Sequence, residues 1–189
     1  NKKDKSMKKL VVMASLVAVS TSMMAMDLQY FLGAGAERTN TNVKASGADG
    51  FNEKDDFKDT SLKLKVGVIL DKAHRISLSH TKLSKDDTDA TTILGNYDYL
   101  IPMNEEFRLY AGLHAGNTKV EIEDVEKISF SGLAYGAQVG AIYDITKNVE
   151  FELGLSYTKF NVDRAEDATW YKLELDNSTS MFAGINYKF

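Results

Sequence analysis

Three histidines, His74, His80 and His114, are the side chains whose ordinary pKa suits proton transfer near neutrality. Set beside Ser156 and Glu152, His114 would complete a nucleophile, base and orienting acid, the arrangement that acyl transfer requires. Nothing in the spacing demands that contact, and the simpler reading makes His114 an interior hydrogen-bonding residue. Two acidic runs, Glu53, Asp55, Asp56 and Asp59, then Asp86, Asp87 and Asp89, offer oxygen ligands for a hard divalent cation. The sequence Asp86-Asp87-Thr88-Asp89 lacks the glycine and the terminal glutamate of a calcium loop, so solvated acidic surface is the simpler reading. Asn177-Ser178-Thr179 fits a glycosylation acceptor by pattern alone. No catalytic residue, metal ligand or cofactor is expected on these grounds.

The elements that would position these side chains are strands. Apolar residues recur with a period of two, as they do when one face of a strand meets an apolar medium. Eight such segments can be read: residues 28–38, 62–70, about 75–83, 92–101, 107–116, 130–143, 149–158, and a last one ending at Phe189. The second is the clearest, with Leu62, Leu64, Val66, Val68 and Leu70 alternating with Lys63, Lys65, Gly67 and Ile69. In the last, Met181, Ala183, Ile185, Tyr187 and Phe189 share a phase that runs back through Thr179, Asn177, Leu175, Leu173 and Tyr171. A long final strand projecting beyond the apolar medium is expected. The third segment is irregular, because the phase of Ile76 and Leu78 continues into His80 and Lys82; either Lys82 sits at a rim or a bulge resets the phase.

Connections alternate in length. Residues 71–74, 102–106 and 144–148 are short and rich in turn formers, whereas 39–60, 84–91, 117–129 and 161–168 are longer and polar. Short turns at one end and long loops at the other is the transmembrane-barrel arrangement. A Lys or Arg on the lipid face near the midplane costs roughly 2–4 kcal/mol. The charged residues accordingly fall in the opposite, inward phase. Lys63, Lys65, Arg75, Asp98, Arg108, His114, Gln138, Glu150 and Glu152 are therefore expected to form a polar network inside the barrel, with glycines sharing their phase. Aromatic residues gather near the short-turn end (Tyr30, Tyr99, Phe107, Tyr143, Phe151, Tyr187 and Phe189), with Tyr135, Tyr157 and Tyr171 toward the other, as interfacial girdles would.

The front of the chain reads as an export signal. Lys8 and Lys9 follow Met7, an uncharged and mostly apolar run covers 10–20, and small residues precede a cleavage point after Ala25 or after Ser22. The expected organisation is a pre-sequence and signal peptide over 1–25, starting at Met7, and one barrel domain over 26–189. Removing 1–25 takes five lysines and one aspartate from the 23 basic and 27 acidic residues, leaving 18 against 26. That acidic balance argues against nucleic acid as a partner. The absence of cysteine leaves ladder hydrogen bonds and packing to hold an exported fold. A single proline, Pro102, lets long strands run unbroken.

On this pattern and its aromatic carboxy-terminus, the chain resembles the OmpA/OmpX-type small outer-membrane β-barrels. The resemblance implies an all-β, eight-stranded, antiparallel up-and-down barrel in the cell outer membrane, of porin-like kinship but without an open pore. It implies a C-terminal insertion signal, carried here by Ile185, Tyr187 and Phe189, that is read by the barrel-insertion machinery. It also implies a non-enzymatic structural or surface-interaction role, in adhesion or envelope integrity. Partners would be outer-membrane lipid or lipopolysaccharide, and host or cell-surface ligands meeting loops 39–60, 84–91, 117–129 and 161–168. Three alternatives stay open: a small gated pore, a lipid-modifying outer-membrane enzyme using His114, and a soluble lipocalin-like carrier with a greasy lumen.

Overall fold

A computed structural model describes residues 27–47, 52–85, 88–123, 127–162 and 171–189. The expected signal segment lies outside these residues. Eight strands occur in chain order: β1 (Leu28–Gly47), β2 (Asn52–Leu70), β3 (His74–Lys85), β4 (Thr88–Pro102), β5 (Phe107–Glu123), β6 (Lys127–Asp144), β7 (Val149–Val162) and β8 (Tyr171–Lys188). Each pairs antiparallel with the next, and β8 returns to β1, so the sheet closes into a barrel. Closure leaves no backbone donor or acceptor facing lipid, which is why a strand fold can cross a bilayer at all.

The short connections are held by their own turn chemistry. Between β2 and β3, Asp71 and Lys72 both take positive φ (49° and 58°), and Ala73 N donates to Leu70 O at 3.1 Å. Two successive left-handed residues match the twist of the flanking strands. Asn104 Oδ1 accepts from Glu106 N and Phe107 N at 2.9 and 2.7 Å. Thr146 Oγ1 does the same for Asn148 N and Val149 N at 3.2 and 3.0 Å. All three turns and both ends of the barrel domain lie at one end.

At the other end the strands run further than hydropathy indicates. The expected connection 39–60 is mostly ladder: β1 and β2 stay paired from Leu28↔Leu70 to Ser46↔Asn52. Likewise β5 and β6 pair to Glu123↔Lys127, and β3 and β4 to Lys85↔Thr88. Once a strand leaves the membrane, polar residues enter both of its phases and still continue the ladder. Pairing is uneven around the rim. β3 leaves β2 at Lys82↔Leu62, and β7 leaves β8 at Lys159↔Asn177, while β1 holds both neighbours beyond those points. Two three-stranded extensions therefore project at this end, β2–β1–β8 and β4–β5–β6, the latter paired to Thr88↔Ile122 and Glu123↔Lys127.

The third strand keeps one phase throughout; its pairings with β2 and β4 contain no register shift. Ile76, Leu78, His80 and Lys82 all face outward, and Lys82 at the rim meets Asp89 at 3.1 Å. The register shift falls instead between β1 and β8, where Asn42↔Asn177 is followed by Val43↔Leu175. The last strand is long as expected, but the unbroken phase expected back to Tyr171 is interrupted there by the extra residue Asp176.

Candidate functional site

Strand pleating sends one phase into the lumen and the other outward. Leu113 (65 % exposed), Leu64, Val66, Val139, Leu155 and Ile185 face out, while Lys63, Lys65, Arg75, Asp98, His114, Gln138, Glu150 and Glu152 are buried inside. Arg108 is part-buried and turns the same way. An apolar exterior around a charged interior is the reverse of the soluble-carrier alternative. Tyr30, Tyr99, Tyr143, Phe151, Tyr187 and Phe189 form an outward ring at the short-turn end. Phe189 stacks on Tyr30 and on Tyr187 (centroids 6.3 and 6.4 Å), and its amide donates to Tyr30 O at 3.0 Å across the closing seam.

The interior charges are arranged in tiers. Nearest the turns, Arg108 Nη2 donates to Asp144 Oδ1 (2.9 Å) and Glu150 Oε2 (2.7 Å). Lys188 completes that tier against Asp144 and Glu150. Asn186 Nδ2 then links Glu150 Oε1 (3.0 Å) to Glu152 Oε2 (2.9 Å). At the centre, Arg75 donates through Nε to Asp98 Oδ2 and through Nη2 to Glu152 Oε1, both at 2.9 Å. Lys65 Nζ donates to both oxygens of Glu152 at 2.7 and 2.9 Å, and Gln138 Nε2 donates to Asp98 Oδ1 at 2.6 Å. Above these, Lys63 pairs with Glu37. Five cations (Lys63, Lys65, Arg75, Arg108, Lys188) thus meet five anions (Glu37, Asp98, Asp144, Glu150, Glu152), and no net charge remains among these residues. Neutrality matters because one unpaired buried ion costs several kcal/mol.

Grease is packed among these charges. Phe31, Ile69, Leu100, Tyr110 and Ile142 form one buried cluster in the half nearer the turns. The Arg75 guanidinium lies over Tyr110 (4.6 Å) and Phe31 (5.8 Å), and Lys63 and Lys65 lie over Phe182 (5.4 and 5.2 Å). These aromatics need room that only glycine leaves. A Cβ on Gly140 would come within 2.5 Å of the Tyr110 ring and 2.3 Å of Leu153 O, whereas one on the outward Gly95 meets nothing nearer than 3.6 Å. Gly140→Val is expected to destabilise the barrel by about 1–3 kcal/mol through overpacking. Gly95→Val should change stability little; urea unfolding of both variants in lipid vesicles checks the contrast.

The sequence pattern places every one of the nine expected network residues in the inward phase, and the structure brings eight of them into three tiers, the lower two joined through Asn186. His114 stands apart: its Nε2 lies 3.0 Å from Thr158 Oγ1. Glu152, engaged by Lys65, Arg75 and Asn186, does not orient it, so His114, Ser156 and Glu152 form no hydrogen-bonded relay. His74 instead meets Tyr97 OH at 2.9 Å at the aromatic ring, and His80 faces outward. Among the described residues, no group of three or more His, Cys, Asp or Glu is placed to hold a metal. Sequence reasoning missed Glu37, Asp144, Asn186 and Lys188 as network partners, and missed the apolar cluster. Glu37, Asn186 and Lys188 lie in the inward phase, so phase alone would have found them.

Comparison with known proteins agrees with this geometry. The family model described as the outer membrane protein beta-barrel domain matches residues 11–189. A search of curated protein sequences gives no match. Among solved structures, Neisserial surface protein A superposes with a TM-score of 0.64 at 18 % identity, covering 85 % of this chain and 97 % of that one. OprG of Pseudomonas aeruginosa gives 0.55 at 16 % identity, covering 85 % and 95 %. Ail, the attachment invasion locus protein of Yersinia pestis, gives 0.50 at 18 % identity, covering 85 % and 98 %. With the apolar wall, the aromatic ring and the closed ladder, the match shows that this chain belongs to the outer membrane protein beta-barrel domain family and is an integral outer-membrane protein.

Proposed function

We propose that this protein is a sealed, non-enzymatic barrel whose interior is structural and whose activity resides in the strand extensions and connections opposite the short turns. In this reading those extensions face the cell exterior and serve surface interaction, in adhesion or envelope integrity. The observation that carries it is the state of the lumen: its buried charges pair with one another, and the cluster of Phe31, Ile69, Leu100, Tyr110 and Ile142 packs the half near the turns. With these charges engaged by one another, the lumen is suited to stabilising the barrel rather than to binding substrate or passing ions, in keeping with small barrels filled by side chains. Ile185, Tyr187 and Phe189, all outward on the closing strand, serve as the insertion signal.

Two measurements test this reading. Single-channel recordings on the purified protein in planar bilayers should stay flat, and reproducible conductance steps would contradict the sealed lumen. Cells displaying the chain should lose binding to candidate host or cell surfaces when the β1–β2 extension above the Arg38↔Thr60 pair is replaced by a short turn. Equal binding by cells carrying the shortened, correctly folded barrel would remove that extension from the function.

A further inference from the structure

Above the rim the apolar residues change sides. The pattern is weak along any one strand and emerges when register sets neighbours side by side. In β2–β1–β8, register places Val43, Ala45, Phe57, Tyr171, Leu173 and Leu175 on the face continuous with Glu37 and Thr39, the lumen side. Glu53 and Asp55 join that face on β2, the edge strand of the extension. In β4–β5–β6, Ala90, Val120, Ile122, Ile128 and Phe130 share the face continuous with Thr118, again the lumen side. The outer faces take residues such as Lys44, Lys54 and Glu174 on the first extension and Asp89, Glu121 and Lys127 on the second. No apolar residue falls on either outer face above Arg38↔Thr60 and Thr91↔Lys119. Below the rim grease faces out; above it grease faces in.

The register shift between β1 and β8 assembles part of the first face. Asn42↔Asn177 belongs to the outer face, and in an unbroken ladder Leu175, Leu173 and Tyr171 would follow Asn177 there. The extra residue Asp176 instead pairs Leu175 with Val43, Leu173 with Ala45 and Tyr171 with Gly47, on the inner face. At the root of each extension, hydroxyls bond within their own sheet: Thr39 Oγ1 lies 2.9 Å from Ser180 Oγ, and Thr92 Oγ1 lies 3.0 Å from Thr118 Oγ1. This polar belt separates the apolar faces above from the charge network below, so the faces need a cover of their own.

The ring supplies one. β1 and β5 stand four strands apart in a closed barrel of eight, so the two inner faces lie opposite each other across the barrel axis. Eight strands ~4.8 Å apart at a tilt of ~40° close a ring about 16 Å across, whereas two sheets pack face to face at about 10 Å. A lean of about 3 Å by each extension makes up the difference. The ladder permits that lean. β2 parts from β3 above Leu62↔Lys82, β6 from β7 above Gly132↔Val162, and β7 from β8 above Lys159↔Asn177. Among the described residues, no strand pairing ties one extension to the other beyond those points.

We infer that the two extensions close on each other over the barrel mouth, each apolar face covering the other in a small two-sheet sandwich. Closure leaves the polar outer faces as the surface that a partner meets, and in that respect it rests on the proposed function.

The chain has no cysteine, so single substitutions report on one position each. Full-length protein refolded from urea into lipid nanodiscs brings no guest molecule with it and leaves both ends open to a charged, water-soluble maleimide. Val43→Cys and Ile122→Cys, at inner-face positions, should react on the order of tenfold more slowly than Lys44→Cys and Glu121→Cys, their neighbours on the outer faces. A second variant identifies the cover. Replacing β5–β6 beyond Thr118↔Gly132 with a short turn should bring Val43→Cys to the rate of Lys44→Cys. Heat-modifiable gel mobility shows that each barrel is folded. Equal rates at inner and outer positions of the full-length chain would overturn the closure, because the faces would then stand open to water or to an apolar ligand. Protection of Val43→Cys that survives loss of the β5–β6 extension would also overturn it, with the lipid surface as the cover. Labelling in nanodiscs is blind to cell sidedness, so unchanged cell binding after the β1–β2 replacement would strike the surface role and leave the closure standing.

Discussion

Replacing Arg75 with leucine should lower the unfolding free energy by about 3–5 kcal/mol, the usual penalty for removing one member of a buried ion network. Arg75 is fully buried and bonds two carboxylates of different strands, Asp98 on β4 and Glu152 on β7. Without it, Asp98 keeps only Gln138, while Glu152 still has Lys65 and Asn186. Asp98 is thus the ion left uncompensated, and the double variant Arg75→Leu, Asp98→Leu should recover part of the loss. Arg75→Lys should fall between, because an ammonium lacks the planar fork that reaches both partners and faces the rings of Tyr110 and Phe31. Urea titration in phospholipid vesicles, followed by fluorescence of the single tryptophan and the tyrosines, gives the free energies. If Arg75→Leu unfolds with the wild-type midpoint, the central tier does not stabilise the fold.

Leu113→Arg should cost about 2–4 kcal/mol, the price of a cation near the bilayer midplane. Leu113 faces outward midway along β5, six residues from Phe107 at the short-turn end. The same change at Asn117, outward and four residues nearer the rim, should cost about 1 kcal/mol or less because the headgroups are in reach. The gradient between the two positions, measured by the same unfolding assay, reports depth in the membrane. Equal effects at both would mean that the wall does not face hydrocarbon.

The strand count and the inward or outward phase were legible because the hydrocarbon imposes a rule on every second residue. Leu62, Leu64 and Val66 have to be apolar, and that demand leaves Lys63 and Lys65 nowhere to go but inside. The rule even held in β3, where Lys82 is tolerated because it lies at the rim. Where hydrocarbon ends, so does the rule. The ladder from Thr39↔Asp59 to Ser46↔Asn52 carries polar and charged residues in both phases, so nothing in its hydropathy distinguishes strand from loop. The lumen was half legible for a related reason. An enclosed position accepts either a paired ion or a packed side chain, so phase places Phe31, Leu100 and Ile142 inside, but nothing in the sequence says that they meet in one apolar cluster. Which ions pair was set by closure of the barrel, which brings Lys65 to Glu152 across 87 residues of sequence. The register shift at Asp176 had no local signal in the sequence.

The most direct test is to ask which apolar methyl groups touch lipid, using methyl-labelled protein in bilayers with nuclear Overhauser transfer from the acyl chains. Val66, Leu113, Leu155 and Ile185 should receive it, while Ile69, Leu100 and Ile142, equally apolar in sequence, should receive none. Transfer to Ile69, Leu100 and Ile142, with water contact at Val66 and Leu113, would contradict the sealed, inside-packed barrel.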